Sequence, residues 1–298
     1  MARGSRAGYR QADAVAGLDA DVAAALARAG LRAREVRNVT TIEFPAFRRA
    51  TYRIDLESGG TIKARCLEDA AAATRLFDAR RHVPRAFVPA VLCAGRVVLE
   101  EWVTGVPVET PPDRARLAEA AGLLAELHAT APHQGDASRA DSTASWRAEG
   151  ETGLRTLVAS GAMKQAQCDT LADQLRRSDP GRGDIVLGHF DFCGENMLVD
   201  DRNHLRVFDN ERVGYGPLGF DLARTWYRWD LSNHAWTSFV DAYADASGRP
   251  NAVQAFDFWR IVVLVNSACL RLDRDRMVLA VPIDKLTALA GRIAAAPR

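Results

Sequence analysis

Four side chains in the stretch HFDFCGENMLVDDRNHLRVFD have types and spacing that could do chemistry together: His189, Asp191, Asn196 and Asp209. Carboxylate and amide oxygens are hard donors of the kind magnesium takes, one or two at a time, with waters and phosphate oxygens completing its shell. A further carboxylate beside a hydroxyl accepts its proton or orients it. Moving a phosphoryl group asks little more of a protein than holding the metal on the phosphates, placing the nucleophile and spreading developing charge. Asp191 in a loop, Asn196 at the loop's end and Asp209 further on supply such a set. His189, two residues before Asp191, is better placed to brace the loop by hydrogen bonds than to react.

These residues need a scaffold that brings them to one end. An apolar run at 185–187 leads into the loop, a short strand is predicted at 197–199, and Asp200-Asp201-Arg202-Asn203 has turn composition. A return strand at 205–208 then delivers Asp209. A hairpin of this kind sets the 191–196 loop and Asp209 at the same end of the pair.

Upstream, an alanine-rich helix is expected at 12–29, closed by Gly30. Strands are expected at 36–43, 50–56 and 61–67, joined by the FPAFRR loop at 44–49 and a Ser58-Gly59-Gly60 turn. Asp69 should cap a helix running to about 82, with Leu76 and Phe77 on its buried side and Pro84 ending it. Two more strands follow at 87–94 and 96–101. The first domain is therefore read as 1–101: N-terminal helix, five-stranded antiparallel sheet and one helix. The second, 102–298, is mainly helical and carries the hairpin. Its helices are expected at 112–129, with Pro112 in the first turn, and at 145–160, 164–178, 222–229, 235–246, 252–272 and 283–295, with a polar loop at 132–142. The fold class is α+β.

The bulk numbers narrow the classes. A chain of 298 residues suffices for two core-bearing lobes. A net charge of +1 gives no reason to expect nucleic acid or a membrane as partner. The five cysteines are scattered and form no CxxC pair, which argues against a disulfide framework or zinc site and for a reducing cytosol. The N-terminus has basic residues without an apolar core, so no signal peptide is read there and a cytoplasmic location is expected. A monomer or weak homodimer is expected.

HFDFCGEN resembles the HGDxxxxN motif of the aminoglycoside phosphotransferase and choline kinase-like family, relatives of the protein kinases. VFDNERVGYGPLGFDLA resembles that family's metal-binding aspartate segment and the DLA that follows it, and LEEWVTG resembles its hinge. The resemblance covers roughly residues 35–245. It implies a two-lobed protein kinase-like fold and ATP-dependent transfer of the γ-phosphate to a hydroxyl of a small molecule, an antibiotic or a metabolite, with ATP and Mg²⁺ as cofactors. It gives Asp191 the catalytic base or hydroxyl-orienting role, makes Asn196 and Asp209 magnesium ligands, and makes Asp221, with His189, a structural brace of the loop. Backbone groups of Glu101 and Val103 would meet the adenine edge. Lys63, on the TIKAR strand, is the candidate for the cation on the α and β phosphates, with Arg65 pointing the same way.

The sequence also departs from the family. No glycine-rich loop covers the phosphates, and Arg48 and Arg49 stand there instead. No glutamate in the helix after Asp69 is evident to pair with Lys63; Glu68 and Asp78 are the acids nearest to hand. Asp221, at a helix start, is also read as an N-cap, a role compatible with bracing the loop. Glu211 is expected in a salt bridge to Arg212 or Arg224, and Cys193 is read as a bystander thiol. Trp226, Tyr227, Trp229 and Trp236 are read as core ahead of an acceptor pocket, and His204 and His234 as surface residues. A protein kinase is disfavoured because no long activation segment separates Asp209 from Asp221. The rival reading is a catalytically silent nucleotide- or drug-binding protein on the same fold.

Overall fold

The computed structural model describes residues 19–43, 48–109, 111–130, 142–272 and 276–295. The expected tail at 1–12, the first turns of the predicted 12–29 helix, residues 44–47 of the FPAFRR loop and most of the polar loop at 132–142 lie outside these residues. The chain divides into two units, one drawn from 1–107 and 197–213, the other from 108–196 and 214–298. Compared with the expected break at 101, the boundary falls six residues later, and the hairpin after Asn196 belongs to the first unit.

Strand alternation organises the first unit. Helix α1 (Ala20–Arg28) is capped by Asp19 and closed at Gly30, where a φ of +68° lets Leu31 N–H reach the Leu26 carbonyl. Strands β1 (Ala33–Glu43), β2 (Arg48–Leu56) and β3 (Thr61–Cys66) follow, then helix α2 (Ala70–Arg80) and strands β4 (Ala90–Ala94) and β5 (Val97–Glu101). They form one antiparallel sheet in the order β1-β2-β3-β5-β4. The Asp69 side chain caps α2 as expected, accepting from Ala72 N–H at 2.7 Å.

Because side chains alternate across a strand, the sheet has two faces of different character. Ala64, Cys66, Val97 and Leu99 join Val22, Ala25 and Leu26 of α1 in one apolar cluster. The opposite face places Val98 with Leu67, Ala72, Ala73 and Leu76 beside α2, and its remaining positions on β3 and β5 are Thr61, Lys63, Arg65 and Glu100. A short strand β6 (Val106–Pro107) pairs with β8 (Met197–Val199), which turns back as β9 (Leu205–Val207).

The second unit is helical: α3 (Arg114–His128), α4 (Ala144–Ala159), α5 (Gln165–Arg177), α6 (Leu218–Arg228), α7 (Asn233–Ser247), α8 (Phe256–Cys269) and α9 (Arg276–Ala295). Asp113, not Pro112, opens α3: its carboxylate accepts Arg116 N–H at 2.8 Å, and the proline lies one residue outside. Helix α8 is buried over all five residues from Ile261 to Val265, as befits a helix apolar on every side. Around it pack Leu154, Leu157, Leu171 and Leu289 from three other helices. Helix α9 runs through Pro282 rather than beginning after it. The apolar run before the catalytic loop is strand β7 (Ile185–Gly188), paired with β10 (Gly214–Pro217), whose Gly-Tyr-Gly-Pro composition gave no strand signal. Among the described residues no helix is long and apolar enough to cross a membrane.

Candidate active site

The loop after β7 is built around one buried carboxylate. Asp221 lies in the first turn of α6, fully buried, and accepts from His189 N–H at 2.8 Å and Phe190 N–H at 2.7 Å, with His128 Nε2 at 3.0 Å. The helix begins at Leu218 after Pro217, so Asp221 is no N-cap; it braces the loop, through backbone amides more than through the His189 ring. Burial would raise its carboxyl, but the His128 hydrogen bond and the His189 contacts outweigh that and lower it. Phe190 is held at a φ of +57°, a conformation a bulky residue adopts only when its surroundings impose it. Room for the bend comes from Gly188, where a Cβ would meet the Phe190 ring at 2.7 Å and Asp221 Oδ2 at 2.9 Å. His189 Nδ1 accepts the Asp191 N–H at 3.2 Å.

Asp191 follows the bend, its side chain 16% exposed. Arg224 Nη2 at 3.0 Å and Arg228 Nε at 2.9 Å both reach its Oδ1, from consecutive turns of α6. Arg224 also donates to the Phe190 carbonyl and to Ser267 Oγ, whereas Arg228 is partly exposed and lies 3.5 Å from Glu195. The Asn196 amide donates to the Asp191 carbonyl at 2.8 Å. That leaves its Oδ1, to which no described residue donates, as a hard oxygen donor. Cys193 is buried, and burial pushes its thiol up to about 11, which suits a bystander.

In the first unit a cavity of about 390 Å³ is lined by both expected cation candidates, Lys63 and Arg65, by Glu101 and Val103 of the expected hinge, and by Asp209. Val39, Ile42, Leu198 and Phe208 give it apolar walls. Lys63 lies 2.9 Å from Glu100 Oε1. The two residues face each other across the β3–β5 register, which makes Glu100 the partner of Lys63. Glu68 and Asp78 are engaged elsewhere, with Arg49 at 2.8 Å and Arg81 at 3.9 Å. Burial alone would raise the Glu100 carboxyl; Arg80, Lys63 and Arg65 outweigh it and hold it down to about 2. Arg65 is buried and pairs with Asp209 at 3.3 Å and with Glu211. Glu211 therefore meets Arg65, with Arg49 at 3.8 Å, and not Arg212 or Arg224.

Asp209 sits at a φ of +59° with its side chain about half exposed, 45%. The next residue, Asn210, is buried and donates to the carbonyls of Phe87 and Val207, which fixes the segment that carries Asp209. Among the described residues no cluster of three or more His, Cys, Asp or Glu could hold a metal by protein ligands alone. The Asp209 carboxylate in the first unit and the Asn196 amide oxygen in the second are each hard donors of the kind magnesium takes alongside waters and phosphate oxygens.

Sequence reading passed over Glu100, Arg80, His128 and Arg228, and considered Arg224 only as a partner for Glu211. The arginines did leave a signal: Asp221, Arg224 and Arg228 follow the three-and-four spacing of one helix face. Of the aromatic cluster, Tyr227 and Trp229 are core. Trp226 and Trp236 are half-buried, Trp226 beneath the Arg260 guanidinium at 4.4 Å and Trp236 stacked on Phe256. His204 and His234 are exposed.

Comparison with known proteins agrees with this arrangement. A Ralstonia eutropha protein assigned as an aminoglycoside phosphotransferase superposes with a TM-score of 0.62 at 17% identity, covering 93% of this chain and 98% of the other. A Thermobifida fusca protein assigned as a fructosamine-3-kinase gives 0.62 at 19%, covering 93% and 100%. A macrolide 2'-phosphotransferase type I gives 0.61 at 17%, covering 96% and 100%. At such identities the likeness establishes the fold, that of the protein kinase-like phosphotransferases. No curated protein matches the sequence. A model of the phosphotransferase enzyme family (APH) matches residues 59–260, more than half the chain, including Lys63, Arg65 and the 189–221 segment, so this chain belongs to that family.

Proposed function

We propose that the protein transfers the γ-phosphate of ATP to an alcohol hydroxyl of a small molecule, an antibiotic or a metabolite, in the cytoplasm. The observation that carries this reading is the cavity of the first unit, which combines apolar walls, the hinge residues Glu101 and Val103, the half-buried Lys63 and buried Arg65 of β3, and the carboxylate of Asp209. Apolar walls suit an adenine ring, with backbone groups of Glu101 and Val103 at its edge, and Lys63 is the cation for the phosphates. Arg65 contributes by neutralising Asp209. Asn196 and Asp209 would hold Mg²⁺, which when bound supplies charge neutralisation on the phosphates. Asp191, with Oδ1 occupied by Arg224 and Arg228, keeps Oδ2 to orient the acceptor hydroxyl or take its proton. His189 and Asp221 keep the loop in its bent form.

The acceptor is tested by a coupled ADP-release screen across hydroxylated antibiotics and metabolites, with calorimetric titration of Mg-ATP beside it. Acceptor-dependent ADP release is expected, and Asp209→Ala should lose Mg²⁺-dependent nucleotide binding; unchanged Mg-ATP affinity in that variant would remove Asp209 from the metal site. A second reading, a silent nucleotide- or drug-binding protein, draws on the arginine partners already held by Asp191 and Asp209. Mg-ATP binding with no acceptor-dependent turnover across the panel would favour it.

A further inference from the structure

Arg80, at the end of α2, is fully buried and does not line the cavity. A single nitrogen, Nη2, bonds both the Glu100 carboxylate and, at 2.7 Å, the carbonyl of Val88. Its Nε and Nη1 find no partner among the described residues. Stability does not account for such a group, since replacing a buried ionic cluster by apolar side chains of like volume is often neutral or favourable. Nor does local charge balance, because Lys63 already neutralises Glu100, and Arg65 is matched by Asp209 and Glu211.

Arg80 does supply geometry. Glu100 reaches over the sheet face that carries Lys63 of β3 on three rotatable bonds, and its two oxygens have different partners. Oε2 is held by Arg80, and Oε1 faces Lys63 at 2.9 Å, with Arg65 further off at 4.0 Å. The anchor itself is rigid. Val88 sits at a φ of +50°, a strained conformation for a β-branched residue, and its carbonyl is tied to the same nitrogen. The neighbouring Phe87 carbonyl takes the amide of Asn210, beside Asp209.

Resting on the phosphate role of Lys63 stated above, we propose that Arg80 is a positioning residue for nucleotide phosphate binding: it fixes Glu100 from behind, and Glu100 fixes the Lys63 ammonium in the cavity. Helix α2 thus contributes a cation and strand β5 the acid, so the lysine is placed without any carboxylate on the helix. The depressed Glu100 carboxyl is what a permanently ionised middle member requires.

The test is calorimetry of the full chain with Mg-ATP and, separately, with adenosine, which shares the base and sugar but carries no phosphate. Arg80→Met should lower Mg-ATP affinity by about tenfold or more and leave adenosine affinity within about twofold. A role confined to packing would weaken both ligands together, and that result would overturn the proposal. Should Arg80→Met not fold, the double variant Arg80→Met with Glu100→Met removes the uncompensated charge; the same selective loss is expected, and wild-type Mg-ATP affinity in it would also overturn the proposal. Arg80→Lys should recover part of the loss by keeping a cation on Oε2. Failure of the wild-type protein to bind Mg-ATP would instead sink the proposed function, and this inference with it.

Discussion

The two units each hold a reactive group in place, and they do so with different physics. In the helical unit the Asp191 loop is set by directional bonds: one buried carboxylate, Asp221, collects two backbone amides and a histidine, and the polar groups are satisfied one by one. In the sheet unit Lys63 is set by charge, with Glu100 among Arg80, Lys63 and Arg65, and Arg65 Nε and Arg80 Nε and Nη1 have no hydrogen-bond partner among the described residues. A backbone-bonded brace stores its specificity in geometry and tolerates no change of shape. A charge cluster depends on all its members and on pH.

The largest effect is expected at the group the directional device holds. Asp191→Asn should reduce phosphate transfer by roughly 10²–10⁴-fold, the usual contribution of a positioned acid–base group, with Mg-ATP affinity little changed. Steady-state kinetics beside calorimetry check this, and wild-type turnover would remove Asp191 from its role. Breaking the directional device comes next. Asp221→Asn sets an amide N–H against N–H donors and should lower stability by roughly 3 kcal/mol, read by urea unfolding.

The charge device should show in pH. The folded Glu100 carboxyl lies near 2, against 4.5 for its ordinary value. A carboxyl lowered by folding adds stability that is fully present above its unfolded pKa and is lost as pH falls through its folded one. Thermal unfolding followed from pH 6 to 2 should therefore show stability declining below about pH 5, with a shallower decline in Glu100→Gln. Equal slopes in the two proteins would dissociate Glu100 from the acid response. The smallest effect is expected at Cys193, buried with its thiol pushed up to about 11: iodoacetamide at pH 8 should leave it unmodified in the native protein, as mass spectrometry of its peptide will show.

The same contrast explains how much the sequence disclosed. The succession of strands along the first unit, the Asp69 cap, the hairpin and the residues of the loop were legible because each rests on local signals: alternation, turn composition and a motif of fixed spacing. Glu100 was not. Its partnership with Lys63 follows from the β3–β5 register, which no local pattern states, and the family resemblance directed attention to the helix instead. Arg224 and Arg228 were overlooked as partners of Asp191 in an arginine-rich chain, although their spacing from Asp221 marked a single helix face. Strand β10 was hidden because Gly-Tyr-Gly-Pro has no strand propensity; it is a strand because it pairs with β7.

The account's central claim is transfer of a phosphoryl group to a hydroxyl, and phosphorus-31 NMR of the protein with Mg-ATP and pooled acceptors from the screen reads it directly. The account predicts a new phosphomonoester resonance growing in step with ADP, lost in Asp191→Asn. ADP accumulating with inorganic phosphate alone, or no change in ATP across the pools, would contradict it.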